Sequence, residues 1–95
     1  MNLLQTLIEA YPETEFLIAD GFDDAVIGYH QQSERLIYSI KKCIDILVEE
    51  GMHLEDALEH FYYNVEGAYV GEKTPIWSDD TFYVEEEDDR GGKIF

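Results

Sequence analysis

Hydrophobic and polar positions follow two different periods along this chain, and the points where the period changes divide it into elements. Leu3, Leu4, Leu7 and Ile8 recur at steps of three and four residues, which predicts a short amphipathic helix over residues 2–10 that stops ahead of Pro12. Phe16-Leu17-Ile18-Ala19 is a brief apolar run, and Asp20-Gly21-Phe22-Asp23-Asp24 has the glycine and aspartate content of a turn. Residues 25–30 and 35–40 are rich in β-branched and aromatic side chains and are separated by the polar tetrapeptide Gln31-Gln32-Ser33-Glu34, the pattern of a β-hairpin. Gly28, inside the first strand, predicts a bulge or a close approach by another backbone.

From Ile40 the period becomes helical. Ile40, Cys43, Ile44, Leu47 and Val48 share a stripe, while Lys41, Lys42, Asp45, Glu49 and Glu50 lie away from it. Ser39 suits the N-cap of this helix and Gly51 the residue just past its end. A second helix follows a tight connection, with Leu54, Ala57, Leu58, Phe61 and Val65 on its apolar face and Glu55 and Asp56 placed well in its first turn. It should end within residues 67–71. A turn ahead of Pro75 then leads to a short strand at Ile76-Trp77, and Thr81-Phe82-Tyr83-Val84 offers another. With 95 residues, one hydrophobic core is expected. The fold class is α+β: a single domain over residues 1–84, in which a β-hairpin packs against an αα-hairpin beside a short N-terminal helix. Residues 85–95 read as an acidic, mobile tail.

Charge changes this picture from a generic small domain to an unusual one. The chain has 22 Asp and Glu against 6 Lys and Arg, a formal net charge of −16. The excess is not confined to the tail, since residues 1–34 alone hold seven acids and no Lys or Arg. Such a field repels nucleic acids and anionic membranes and attracts basic surfaces. The expected partner is therefore a protein with a basic nucleic-acid-binding surface, without direct nucleic-acid or membrane contact. The first residues carry no Lys or Arg ahead of their short apolar run, so a secretory signal is not expected, and no segment has the roughly 18 apolar residues of a membrane span. A cytoplasmic setting follows.

Candidate chemistry is sparse. His53 and His60 stand two helical turns apart, too far to share one ion unless a third element folds over them, and His30 lies elsewhere. Asp20, Asp23 and Asp24 lack the alternating spacing and closing Glu of a calcium loop, so capped turn residues are expected. Cys43, the only cysteine, lies on an apolar stripe and reads as a buried thiol. No nucleophile elbow, phosphate loop, dinucleotide fingerprint or zinc-protease motif occurs, and no catalytic residue, metal or cofactor is assigned. Aromatics say more. Phe61, Tyr62 and Tyr63 cannot all face one core, so at least one ring is expected at the surface as an anchor for a partner. Asp45 and Glu49, and Glu55, Glu59 and Glu66, lie at four- and seven-residue steps. Each four-residue step advances about 6 Å, close to the spacing of phosphates along a strand. The candidate partner-binding residues are therefore Asp45, Glu49, Glu55, Glu59, Glu66, Tyr62, Tyr63 and Tyr69.

Residues 20–28, the stretch from Tyr38 to Gly51, and above all Gly67-Ala68-Tyr69-Val70-Gly71-Glu72-Lys73-Thr74-Pro75-Ile76-Trp77 resemble a family of short uncharacterised proteins of tailed bacteriophages. The resemblance covers roughly residues 16–78. It transfers no catalytic or binding role, because that family has no established activity, and His53 stands where its members usually have Thr. What it implies is a phage protein acting in the cytoplasm of a bacterial host cell. Small acidic phage proteins often antagonise host nucleic-acid-binding machinery. The expected function is thus non-enzymatic: an inhibitor of the anti-CRISPR or anti-restriction kind that acts as a DNA mimic. The alternative is a phage housekeeping or assembly protein that works as a homodimer.

Overall fold

A computed structural model describes residues 2–68 and 71–81. Three strands, β1 (Val26–His30), β2 (Arg35–Ser39) and β3 (Ile76–Ser78), form one sheet in the order β1-β2-β3. Helix α1 (Leu3–Ala10) precedes the sheet, and α2 (Ile40–Glu49) and α3 (Leu54–His60) follow β2 as a packed pair. The α+β architecture expected from the sequence, with a hairpin against two helices and a short first helix, is the one observed. β1 and β2 pair antiparallel, whereas β3 runs parallel to β2, with Ile76, Trp77 and Ser78 opposite Ile37, Tyr38 and Ser39. A parallel pair needs a crossover. Helices α2 and α3 supply it, so the short C-terminal strand extends the hairpin into a three-stranded sheet.

The hairpin departs from regularity where Gly28 predicted it. Val26 faces Tyr38 and Gly28 faces Ile37, leaving Ile27 as the extra residue of a β-bulge. A side chain at Gly28 would meet Ile37 at an ordinary 3.5 Å, so the bulge and not a tight backbone approach accounts for this position. His30 and Arg35 close the four-residue turn, and Glu34 takes the left-handed conformation (φ 57°) that ends it.

Caps set the helix boundaries. The Asn2 side chain accepts the Gln5 backbone N–H at 2.9 Å and starts α1. Ser39 caps α2, its hydroxyl oxygen accepting from the Lys42 N–H at 3.0 Å. That hydroxyl donates in turn to Asp80, whose other oxygen accepts the Lys41 N–H at 2.9 Å. Asp80 thereby fastens the chain beyond β3 to the start of α2. Gly51, at φ 110°, reverses the chain past the end of α2, where the Met52 N–H bonds back to the Leu47 carbonyl.

Two expectations for the second helix need correction. Leu54 was placed on the apolar face, yet it is 58% exposed: it opens α3, and the stripe meets the core only from Ala57 onward. The α-helix also ends at His60 and continues as π-helical turns from Phe61 to Glu66, closed by Gly67. Tyr62, Tyr63, Asn64 and Val65 all rank low in α-helix propensity, which leaves packing free to set the winding here. Thr81 belongs to no strand. Residues 82–84 of the anticipated fourth strand, and the tail at 85–95, lie outside the described residues.

The core lies between the sheet and the helices, with Tyr38, Phe61, Leu36, Leu4 and Cys43 almost fully enclosed. Tyr38 reaches furthest. Its ring lies 5.0 Å from Trp77, which meets Phe61 edge-on at 5.4 Å, and its hydroxyl accepts the Ala19 N–H at 2.8 Å. On the N-terminal side, Tyr11 and Phe16 both contact Tyr29 of β1, at 5.0 and 5.3 Å.

The Asp80 cap yields a stability prediction. Desolvation works against its charge, but the Ser39 hydroxyl and the Lys41 N–H outweigh it and hold the carboxyl below its ordinary value of 3.8. A depressed native pKa gives a contribution that is present above the unfolded value and is lost as pH falls through the native one. Asp80→Asn should lower the urea unfolding free energy at neutral pH by up to about 1 kcal/mol, the range for a cap discounted for solvent screening. The gap to wild type should close below pH 3.8.

Candidate functional site

No carboxylate among the described residues is buried: every Asp and Glu is exposed, apart from half-buried Glu34. Ion pairs join Lys41 to Asp45 at 2.9 Å and Lys73 to Glu34 at 3.5 Å. Arg35, Lys41, Lys42 and Lys73 are the only Lys and Arg in the described region, so most of its acids have no cation available to neutralise them. The side chains of Lys41 and Asp45 are both more than half exposed, which makes their attraction weak and salt-sensitive.

The fold gathers these acids into two groups. On the first, Asp45 and Glu49 of α2 face the 3₁₀ turn Asp23–Ala25, so that Asp23, Asp24, Glu49 and Glu50 rim a shallow depression floored by Gly21 and Ile46. Asp24, Lys42 and Asp45 border a second hollow beside it. Sequence periodicity identified Asp45 and Glu49 and missed Asp23 and Asp24, because the turn joins them only through tertiary packing. Asp24 also accepts a hydrogen bond from Asn2 at 3.3 Å, which ties this turn to α1.

The second group lies on α3 and the π-helical turns. Glu55 and Glu59 stand one turn apart on α3, and Asp56, Glu59, His60 and Tyr63 surround a further depression with Met52 and Asn64. A π-helix takes more residues per turn than an α-helix. The seven-residue step from Glu59 therefore no longer completes two turns, and Glu66 leaves the line of Glu55 and Glu59. It stands instead with Asp79 near Tyr62, where partial burial first and these two carboxylates second push the Tyr62 phenol above its usual value. The rings divide as helical geometry requires. Phe61 is fully buried, Tyr62 is 41% exposed and Tyr63 79%. Tyr69, the remaining candidate, lies outside the described residues.

No group of three or more His, Cys, Asp or Glu is gathered as a metal site among the described residues. His60 has Asn64 as a hydrogen-bond neighbour at 3.3 Å, and His30 closes the hairpin turn against Ser33. No described helix is long and apolar enough to cross a membrane. Comparison with known proteins gave no match to a family model, a curated protein or a solved structure. What fold and site define together is a small α+β domain with an exposed, largely unneutralised acidic surface.

Cys43 is the one thiol and is fully enclosed. Burial, with Asp80 adding to it, pushes its pKa up to about 12, so at neutral pH almost no thiolate forms. Iodoacetamide at pH 7.5 should leave Cys43 unmodified in the native protein and alkylate it in 6 M guanidinium, as read by intact mass; rapid native modification would contradict the packing of α2.

Proposed function

We propose that this protein is a phage-encoded inhibitor that binds a host nucleic-acid-binding protein, placing its carboxylates where that protein holds phosphates. The single observation that supports the reading is the exposure of the acids with too few cations beside them. Like charges at close spacing destabilise a helix by a few tenths of a kcal/mol each. Asp45 and Glu49 on α2, with Glu50 at its C-cap, and Glu55 and Glu59 on α3 stand at such spacing, and of these Asp45 alone has an ion pair among the described residues. Attraction to a cationic groove supplies a use for that spacing. Tyr62 and Tyr63 provide aromatic contact area beside the acids.

A second reading, a homodimeric interaction module, draws on Val48 and Leu54, apolar residues that the helix pair leaves 39% and 58% exposed. An isologous contact between two such pairs would cover them. Sedimentation separates the readings, since a tight dimer indifferent to basic proteins favours the module.

The decisive measurement is affinity capture from bacterial lysate at low salt, run with wild type and with a variant carrying Asn or Gln at Asp45, Glu49, Glu55, Glu59 and Glu66. Wild type should retain a nucleic-acid-binding protein that added nucleic acid releases. The neutralised variant should associate with it about tenfold more slowly or worse, with a smaller change in dissociation, and raised salt should slow wild type in the same way. Capture that ignores both the substitutions and the salt would refute charge-led binding.

A further inference from the structure

One opening of the described surface is mainly apolar and lies between the two acid groups' elements. It is a cleft of about 370 Å³ between the segment Leu17-Ile18-Ala19-Asp20 and the π-helical turns, walled by Val65, Ala68, Pro75 and Trp77. That volume falls within the range of built ligand pockets. Leu17 and Ile18 belong to no helix or strand, and they remain 38% and 44% exposed although the next residue is fixed through the Ala19 N–H to the Tyr38 hydroxyl. The opposite wall is packed into the core: Trp77 lies between Tyr38 and Phe61, and among the described residues no hydrogen-bond acceptor meets its buried Nε1. Two apolar walls stand open, and among the described lining residues Asp20 alone is charged.

We propose that this cleft receives a leucine- or phenylalanine-sized side chain from a basic stretch of a partner protein, with a flanking Lys or Arg meeting Asp20. The inference rests on the reading of a basic partner and adds an apolar anchor to it. Charge selects the occupant. Among the described residues no Lys or Arg lines the cleft, and the carboxylate at its edge is embedded in a chain of net charge −16. A second copy would bring that same charge against itself. The chain's own Phe82-Tyr83-Val84 is followed by five consecutive acids, which would crowd Asp20 with like charge. A basic segment with an apolar residue satisfies both features at once.

Trp77 is the single tryptophan of the chain and forms part of the wall, so its fluorescence reports occupancy directly. The probes are three blocked hexapeptides: two leucines flanked by arginines, the same with serines for the leucines, and the same with glutamates for the arginines. Calorimetry on the full chain measures total binding alongside the Trp77 signal. The leucine–arginine peptide should shift Trp77 emission saturably, and the other two should not. Ile18→Ser, at a site exposed enough to spare the fold, should weaken that binding about tenfold. Asp20→Asn should weaken it less and remove part of its salt dependence. If both arginine peptides bind equally by calorimetry and Trp77 stays silent, the cleft proposal falls while charge-led binding stands. If neither arginine peptide binds, both fall. A Trp77 shift with the leucine–glutamate peptide, on dilution of the protein alone, or on removal of residues 82–95 assigns the cleft to a different occupant and overturns the proposal.

Discussion

The enclosure of Tyr38 is the constraint from which the rest of the structure follows. Tyr38 sits in the central strand, fully buried, and a buried phenol needs a partner for its oxygen. The Ala19 N–H provides one and so brings the segment between α1 and the 3₁₀ turn across the sheet. The ring provides the other half of the constraint, because its contact with Trp77 holds β3 in parallel register and, through Phe61, holds the helical return against the sheet. Three chain segments distant in sequence are thus fixed by one side chain. Burial also raises the Tyr38 pKa, so the phenol stays neutral at any pH near 7.

A chain this acidic can still fold because its charges and its core occupy separate places. No charged side chain is buried among the described residues, and the buried hydroxyls are satisfied, Ser39 by Lys42 and Asp80 and Tyr38 by the Ala19 N–H. The carboxylates that serve the fold do so at the surface, with Asp80 at the start of α2 and Asp24 beside Asn2. Most others contribute mutual repulsion, which lowers stability without altering the fold. Folding and acidity are therefore nearly independent here, and the charge is open to explanation by binding.

Local chemistry was legible in the sequence, and long-range geometry was not. Ser39 and Gly51 marked the ends of α2 because caps depend on single residues and their immediate backbone. Gly28 marked the bulge for a similar reason. The direction of β3 was not legible, since Ile76 and Trp77 look alike in either orientation and only the length of the α2–α3 crossover decides it. The π-helical turns escaped notice because Phe61 and Val65 satisfy an α-helical stripe as well as a π-helical one. That miss carried into the site: the row Glu55, Glu59, Glu66 assumes α-helical winding throughout, and with the wider turns Glu66 stands near Tyr62 and Asp79. Asp23 and Asp24 were read as turn residues, which they are, but their approach to α2 is a tertiary contact with no signature in the chain.

In the proposed binding, the acids and the apolar cleft would take different parts, because they differ in how they are held. Exposed Glu and Asp side chains are free to move, and fixing them against a partner sacrifices rotamer entropy that offsets much of the Coulomb gain. Their long-range field acts before contact and sets the rate of encounter. The cleft has the opposite character. Its Trp77 wall is held by the same Tyr38–Trp77–Phe61 contacts that hold the core, and its Leu17–Ile18 wall is tied to Tyr38 through the Ala19 N–H, so under the proposal an entering side chain would meet walls anchored to the core. Preorganised apolar burial lengthens the life of a complex more than it speeds its formation. Because Trp77 is at once packed against the core and a cleft wall, substitutions that reshape the cleft from the sheet side should disturb folding, whereas changes at exposed Leu17, Ile18 and Ala68 should alter the proposed fit with less effect on the core.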